Sequence, residues 1–454
     1  MSENNTKAAN NSNGKKLGFK ELYAISIGTV IGAGVFNVLG SAIAQTGKSV
    51  WLAYVVAVVL GLIVNMPFWL MSTMATLKGG QYSMVAGLLD RKWAGMFLIG
   101  YIPTSFSYAL FGLGLGQYVN SLFPAINAKW AGVAVITFFF ILNLFDVSKM
   151  AKLQKVMTWI LIGTLFMFIL FGLPQVNGAP FDFGAKDYFL NGGAGFLTAV
   201  ILLVYSCTSY IQVTNYGGMA KKPKKTLPKV ILMSACTILV VYSGAAIVAS
   251  GILPISDVAG QPLTFVAKVV LPKSLFFVLI LGGVVMALAT TLNSMFGSFG
   301  RIYAQGCEDG WFGGVLAKRN KNGAPYVLLA ISWLIGIVPI IINFDIATVT
   351  NNIVLLTYAM GLLPRFALMM FPKKYPEVLK GSKTWNNPKK YYFANIFSLV
   401  VQIIIMILAA KALNPVIVAC SLGALALCGV FAFWRDKSGK VDVADSFDVN
   451  PDED

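Results

Sequence analysis

Three glycines fall within seven residues in the middle of an apolar run, Gly28-Thr29-Val30-Ile31-Gly32-Ala33-Gly34-Val35-Phe36. Glycine weakens a helix because it gives up more backbone freedom on folding than other residues. A helix broken here frees backbone groups on both sides of the break. The half that begins after Gly34 presents unbonded N–H groups and the positive end of its dipole, which suits a carboxylate. The half that ends before the break presents carbonyls around Val30 and Ile31, which suit an ammonium group. A second polar interruption runs through Val204-Tyr205-Ser206-Cys207-Thr208-Ser209-Tyr210-Ile211-Gln212. There, hydroxyl side chains compete for the helical backbone bonds. Carbonyls near Tyr205 and Thr208 add to the ammonium site. A zwitterionic α-amino acid satisfies both ends without any charged side chain.

The elements that carry these breaks are long and apolar. The chain is 57% hydrophobic and 12% charged over 454 residues, with a mean hydropathy of +0.74. Soluble domains carry roughly 25% charged residues. Apolar runs fall at 21–46, 51–77, 94–121, 130–146, 155–173, 194–218, 230–251, 275–303, 326–343, 347–370, 393–411 and 414–434. Most meet the length of ~20 residues that a membrane helix needs. The reading is an all-α polytopic membrane protein with about twelve transmembrane helices. In lipid, a broken helix survives only where its backbone is buried in protein or lines a cavity. The breaks occupy spans 1 and 6, the first helix of each half. This predicts two inverted repeats, 21–173 and 194–370, with 393–434 as appended helices 11 and 12. Residues 1–20 and 435–454 read as a disordered cytoplasmic tail and an acidic cytoplasmic tail.

The formal net charge of +17 invites a nucleic-acid reading, but the distribution excludes it. With the N-terminus placed inside, all but six of the 35 Lys and Arg fall on the inner side; the six are Lys48, Lys129, Lys186, Lys268, Lys273 and Lys411. That is the positive-inside bias of a multi-pass protein of the cytoplasmic membrane with both termini cytoplasmic, and its partner surface is anionic lipid. The five cysteines include no CxxC pair, and there is no histidine. Neither a metal site nor a cofactor is expected. No convergent acids, bases or nucleophile pair lies within the spans, so the chain does not read as an enzyme.

At this point the residues resemble the amino acid–polyamine–organocation superfamily of transporters over about 17–434. Four stretches carry the resemblance: Ile31-Gly32-Ala33-Gly34-Val35-Phe36; Gly79-Gly80-Gln81-Tyr82 after span 2; Lys221-Lys222-Pro223-Lys224-Lys225-Thr226-Leu227-Pro228 after span 6; and Arg301 to Gly310 with Asn322-Gly323-Ala324-Pro325 before span 9. The resemblance implies a LeuT-type fold of five-plus-five inverted repeats and transport of amino acids or related amines. It implies that the substrate carboxylate rests on the amides of Gly32, Ala33 and Gly34, and that the amino group meets carbonyls of Val30, Tyr205 and Thr208. It also implies a side-chain pocket of Thr104, Tyr108, Tyr205, Met295 and Tyr358, with Ser206 in the span 6 break.

Two departures bear on coupling. Several members of the superfamily carry a span 5 lysine that reaches the span 1 break, and here the corresponding place falls on Leu161. No Asp or Glu lies well inside any span. Proton-driven carriers ordinarily keep an ionisable group in the membrane. The expectation is therefore exchange of one amino compound for another. The candidate coupling groups are Glu21 at the mouth of span 1, Arg365 near the inner end of span 10, and a sodium site built from Thr290, Thr291, Asn293 and Ser294 on span 8. Arg365 otherwise reads as a snorkelling residue of the positive-inside set. Cationic substrates find no carboxylate in the pocket, which favours neutral amino acids. The alternative classes are a proton- or sodium-coupled symporter and a membrane sensor that binds amino acids without moving them.

Overall fold

The path of the chain is set by helices that must bury their backbone bonds and by the few places where they fail to. The computed structural model describes residues 16–32, 34–145, 147–177, 179–344, 346–411, 413–443 and 447–450, with the side chains of 37, 121, 122, 147–149, 179, 205, 346–351, 354 and 409 left out. Ala33 lies outside the described residues, and only the backbone of Tyr205 is described.

Nine helical stretches among the described residues are long and apolar enough to cross a membrane, and the shorter apolar helices Ala128–Leu142 and Tyr326–Ile341 fill the places of spans 4 and 9. Span 1 is the broken one. It runs as Phe19–Val30, a π-helical turn Gly34–Val38, and Leu39–Thr46. Span 6 runs as Gly192–Ser206 and then as a 3-10 helix, Ser209–Met219. Runs of 3-10 longer than three or four residues are uncommon because their hydrogen bonds are poorly aligned. Eleven residues of it mark span 6 as a segment held by its neighbours rather than by its own ladder. Span 8 also contains a π-helical stretch, Leu279–Val285, and span 10 is divided at Gly361 between Ile346–Met360 and Leu362–Lys374.

The halves pack in related ways. Span 1 lies on span 5 and on the second part of span 6, spans 3 and 4 pair, and span 8 crosses spans 1, 3 and 5. Spans 11 and 12 close the outside: span 11, Pro388–Lys411, leans on spans 2 and 10, and span 12, Pro415–Lys437, leans on span 3. Glycine permits a close approach of spans 3 and 4 at Gly116, where an added Cβ would stand 2.0 Å from the Ala128 carbonyl oxygen of span 4.

Described residues near the two termini, Leu17 and Phe447–Asp448, gather at one end of the bundle. Leu17 bridges to Ala220, and the strand β1, Thr76–Leu77, pairs antiparallel with β2, Phe447–Asp448. Part of the expected acidic tail is therefore a built element. Phe447 packs on Tyr375 with ring centroids 5.7 Å apart, and the Lys224 ammonium donates to the Asn450 carbonyl. Under this strap, the Tyr82 hydroxyl donates to the Asp309 carboxylate, Gln305 Nε2 donates to the same carboxylate at 2.9 Å, and the Trp311 indole donates to Tyr82 at 2.9 Å. Burial, with the Asp309 charge beside it, pushes the Tyr82 phenol well above the ordinary tyrosine range. The neutral phenol is thus kept as a donor.

Candidate substrate cavity

The span 1 break opens with a turn at Ile31. Ile31 adopts φ −76° and ψ 89°, close to the inverse γ-turn, and the Gly32 N–H accordingly donates to the Val30 carbonyl at 2.9 Å. The same carbonyl accepts from the Tyr242 hydroxyl of span 7 at 3.1 Å. The three glycines let neighbours press in. An added Cβ on Gly28 would stand 2.1 Å from Gln154 Nε2, on Gly32 2.7 Å from Thr291 Oγ1, and on Gly34 2.6 Å from Ser206 Cβ. Gly34 against Ser206 brings the two breaks into direct contact.

The span 6 break is held from outside. Cys207 N–H turns back to the Val204 carbonyl at 3.0 Å, which ends the first half. The Thr208 carbonyl accepts from Asn65 Nδ2 of span 2 at 2.8 Å, and the Tyr210 carbonyl accepts from the Ser26 hydroxyl at 3.2 Å. Ser234 supports Ser26 in turn, donating at 2.8 Å. A buried carbonyl without a donor costs about 1–3 kcal/mol, so these borrowed donors keep the break open at low cost.

Around the junction lies a cavity of about 390 Å³. Val30, Gly32, Gly34, Thr104, Ser206, Thr208, Met295, Tyr358 and Arg365, all expected from the sequence, line it. Ile31 is buried in the packing instead. Tyr108 is not in the wall: its ring stacks on Phe296 with centroids 4.0 Å apart, and Gly336 of span 9 presses on its other side. The cause is the 3-10 turn Ser105–Ser107 after Pro103, which advances span 3 by three residues per turn and rotates the faces beyond it. Tyr101, about two turns earlier, takes the place in the wall. Other lining groups missed by sequence reading are Asn65, Phe68, Gln81, Gln212, Ser298 and Gln402.

The expected coupling groups fall in different places. Glu21 pairs with Lys155 of span 5 at 3.0 Å, so span 5 does bring a lysine to span 1, one turn and more from Leu161 and at the terminal end. Thr290 donates to its own helix, and Asn293 is tied to Gln154 at 2.8 Å and to Asn143 at 3.1 Å. Ser294 is buried with no partner among the described residues. None of Glu21, Thr290, Asn293 and Ser294 lines the cavity, whereas Thr291 does, its hydroxyl lying 3.0 Å from the Gly28 carbonyl.

Arg365 is the residue whose reading changes most. It does not snorkel. It is 3% exposed, and its Nη2 donates at 2.8 Å to Val64 in the middle of span 2. The division of span 10 at Gly361 turns the following helix so that this side chain points across the bundle. The cavity wall at Ser41, Leu202 and Thr357 is exposed, while Gln81, Phe97 and Tyr101, toward the terminal end, are buried. The cavity is thus closed on the side of the strap.

A sequence profile of the amino acid permease family matches residues 17–425. The chain belongs to that family. Among related permeases, the branched-chain amino acid permease of Bacillus subtilis is 21% identical over 81% of this chain and 83% of its own length. The L-asparagine permease of Escherichia coli is 23% identical over 78% of this chain and 74% of its own. The D-serine/D-alanine/glycine transporter of Escherichia coli is 26% identical over 71% and 72%. These relatives are permeases and transporters rather than enzymes, and the fold is that of a multi-pass membrane permease.

Proposed function

We propose that this permease is a secondary transporter that exchanges one amino acid or amine for another across the cytoplasmic membrane by alternating access, with both termini cytoplasmic. The observation that carries this reading is the contact of the two broken helices, Gly34 on Ser206, at the wall of a cavity with no carboxylate among its described lining residues. The carboxylate of the substrate rests on the amides from Gly32 to Gly34, after Gly32 N–H gives up the Val30 carbonyl. The ammonium takes carbonyls at Val30 and Thr208, where Tyr242 and Asn65 now donate. Each pole of the zwitterion therefore substitutes for a bond made within the protein, and the net gain comes from doing so at both breaks together. Side-chain recognition falls to Thr104, Tyr101, Met295 and Tyr358.

The closed terminal end supports alternating access. A ligand moves the equilibrium between outward and inward forms only by binding them unequally. Ligand held between the breaks ties span 1 to span 6 and allows the seal around Tyr82 and Asp309 to open. Exchange is favoured over proton coupling because Glu21 is tied in its pair with Lys155 away from the cavity.

The test is uptake of radiolabelled amino acids into proteoliposomes, with and without unlabelled amino acid inside. Uptake that needs internal substrate and ignores proton and sodium gradients is the expected result. Gradient-driven uptake into empty vesicles would replace exchange by symport and point to Glu21 or Ser294. Binding without flux would make the protein a sensor.

A further inference from the structure

Resting on the transport reading, the wall of the cavity narrows the substrate further. Among its described lining residues Arg365 is the only charged one. Burying a guanidinium costs several kcal/mol unless it is paired and hydrogen-bonded. Inside a membrane protein such groups face a partner charge or a wet cavity, and mark a ligand path. Arg365 has no carboxylate partner among the described residues; all its bonds go to neutral acceptors. Nε donates to Ser398 Oγ at 3.1 Å, Nη1 to the Gly361 carbonyl at 3.3 Å and Nη2 to the Val64 carbonyl at 2.8 Å. The guanidinium lies over the Phe68 ring, 4.9 Å from its centroid.

These bonds orient the group without neutralising it. A guanidinium carries five N–H donors in a planar fork that matches a carboxylate. Three are used, one on each nitrogen, which leaves one donor on each of Nη1 and Nη2. The support comes from three separate elements, spans 2, 10 and 11, so the fork is held before any ligand arrives. The breaks in spans 1 and 6 already accommodate both poles of an α-amino acid with backbone groups alone. The charge on Arg365 is surplus to that need.

We infer that this cavity takes amino acids with a second carboxylate, and that Arg365 is the residue that binds it. An acidic amino acid brings one net negative charge and makes the occupied cavity neutral. A neutral amino acid leaves the guanidinium uncompensated, and a cationic one places two positive charges in one low-dielectric space. At an effective dielectric of about 20, charges several ångströms apart interact strongly enough for selectivity of about tenfold or more between adjacent charge classes.

The experiment measures binding of L-glutamate, L-aspartate, L-glutamine, L-leucine and L-lysine to the purified full chain in detergent at constant ionic strength. The readouts are ligand-induced thermal stabilisation and apparent Kd. Glutamate or aspartate should bind about tenfold or more tighter than glutamine, with lysine weakest. In Arg365→Gln, judged folded by a monodisperse profile, the glutamate-to-glutamine ratio should fall to about one, whatever the absolute affinity; Arg365→Lys should keep a preference for glutamate. A wild-type protein that prefers glutamine, leucine or lysine overturns the inference and leaves the transport reading standing. So does an acidic preference that survives in Arg365→Gln. The inference also fails if glutamine binding requires chloride, is lost in methanesulfonate, and no longer depends on chloride in Arg365→Gln; the guanidinium would then be an inorganic anion site. If no amino acid of any class binds, the transport reading falls, and this inference with it.

Discussion

The two broken helices reach the same cavity by opposite means. Span 1 is opened by what its residues lack. At Gly28, Gly32 and Gly34 the neighbours Gln154, Thr291 and Ser206 stand where side-chain atoms would be. Span 6 is opened by what other spans supply, namely the Asn65 amide on the Thr208 carbonyl and the Ser26 hydroxyl on the Tyr210 carbonyl. One break is enforced sterically, the other by borrowed hydrogen bonds. A steric break has no graded response: a side chain either fits or displaces its neighbours. A hydrogen-bonded break can be weakened one donor at a time. This difference orders the expected effects of mutation.

The largest effect is expected at the glycines. Gly32→Leu drives its side chain into Thr291 and Phe111 and fills the junction, so uptake and binding should be lost while the detergent-purified protein stays monodisperse. Wild-type-like uptake by this variant would detach the span 1 break from the site. Asn65→Leu comes next. It removes the amide that ties the Thr208 carbonyl to span 2 and so lets the span 6 break shift against span 1, which should reduce kcat/KM for uptake by about ten- to a hundredfold. An unchanged kcat/KM would show that span 6 holds its break unaided, and the contrast between the two helices would collapse. The smallest effect sharpens the contrast. Tyr242→Phe removes one of the two donors on the Val30 carbonyl. If the ammonium competes for that oxygen, substrate affinity should rise about two- to tenfold, consistent with a net hydrogen-bond worth of about 0.5–1.5 kcal/mol. An unchanged affinity would place the ammonium on other carbonyls.

The means of breaking also decided what could be read in advance. Glycines and clustered hydroxyls are local signals, so both breaks and much of the fold are visible in the sequence. Borrowed donors are not local. Asn65 sits in the middle of a long apolar stretch of span 2, and nothing along the chain says that it faces Thr208. Gln402 on span 11 is hidden for the same reason, although it donates to the Tyr358 carbonyl at 2.6 Å. Tyr108 has the right residue type at the right depth, but the 3-10 turn before it rotates it into the packing against Phe296. Arg365 lies close enough to the end of its span to look as if it snorkels. Only the division at Gly361, with an acceptor waiting in span 2, shows that it turns inward.

The strap at the terminal end gives the molecule a clock. β2 pairs with the loop after span 2, its Phe447 packs on Tyr375 after span 10, and Asn450 accepts from Lys224 at the start of span 7. These anchors belong to both repeats. In the proposed alternating-access cycle, rocking of one repeat against the other must either carry the strap along or peel it off. A short two-stranded pairing is weak enough to peel within a turnover. Turnover can then be throttled from a stretch of chain that never meets the substrate. Cargo fused behind Asn450 adds drag to that peeling, and a fluorescent tag on this terminus would report a slower machine than the native one.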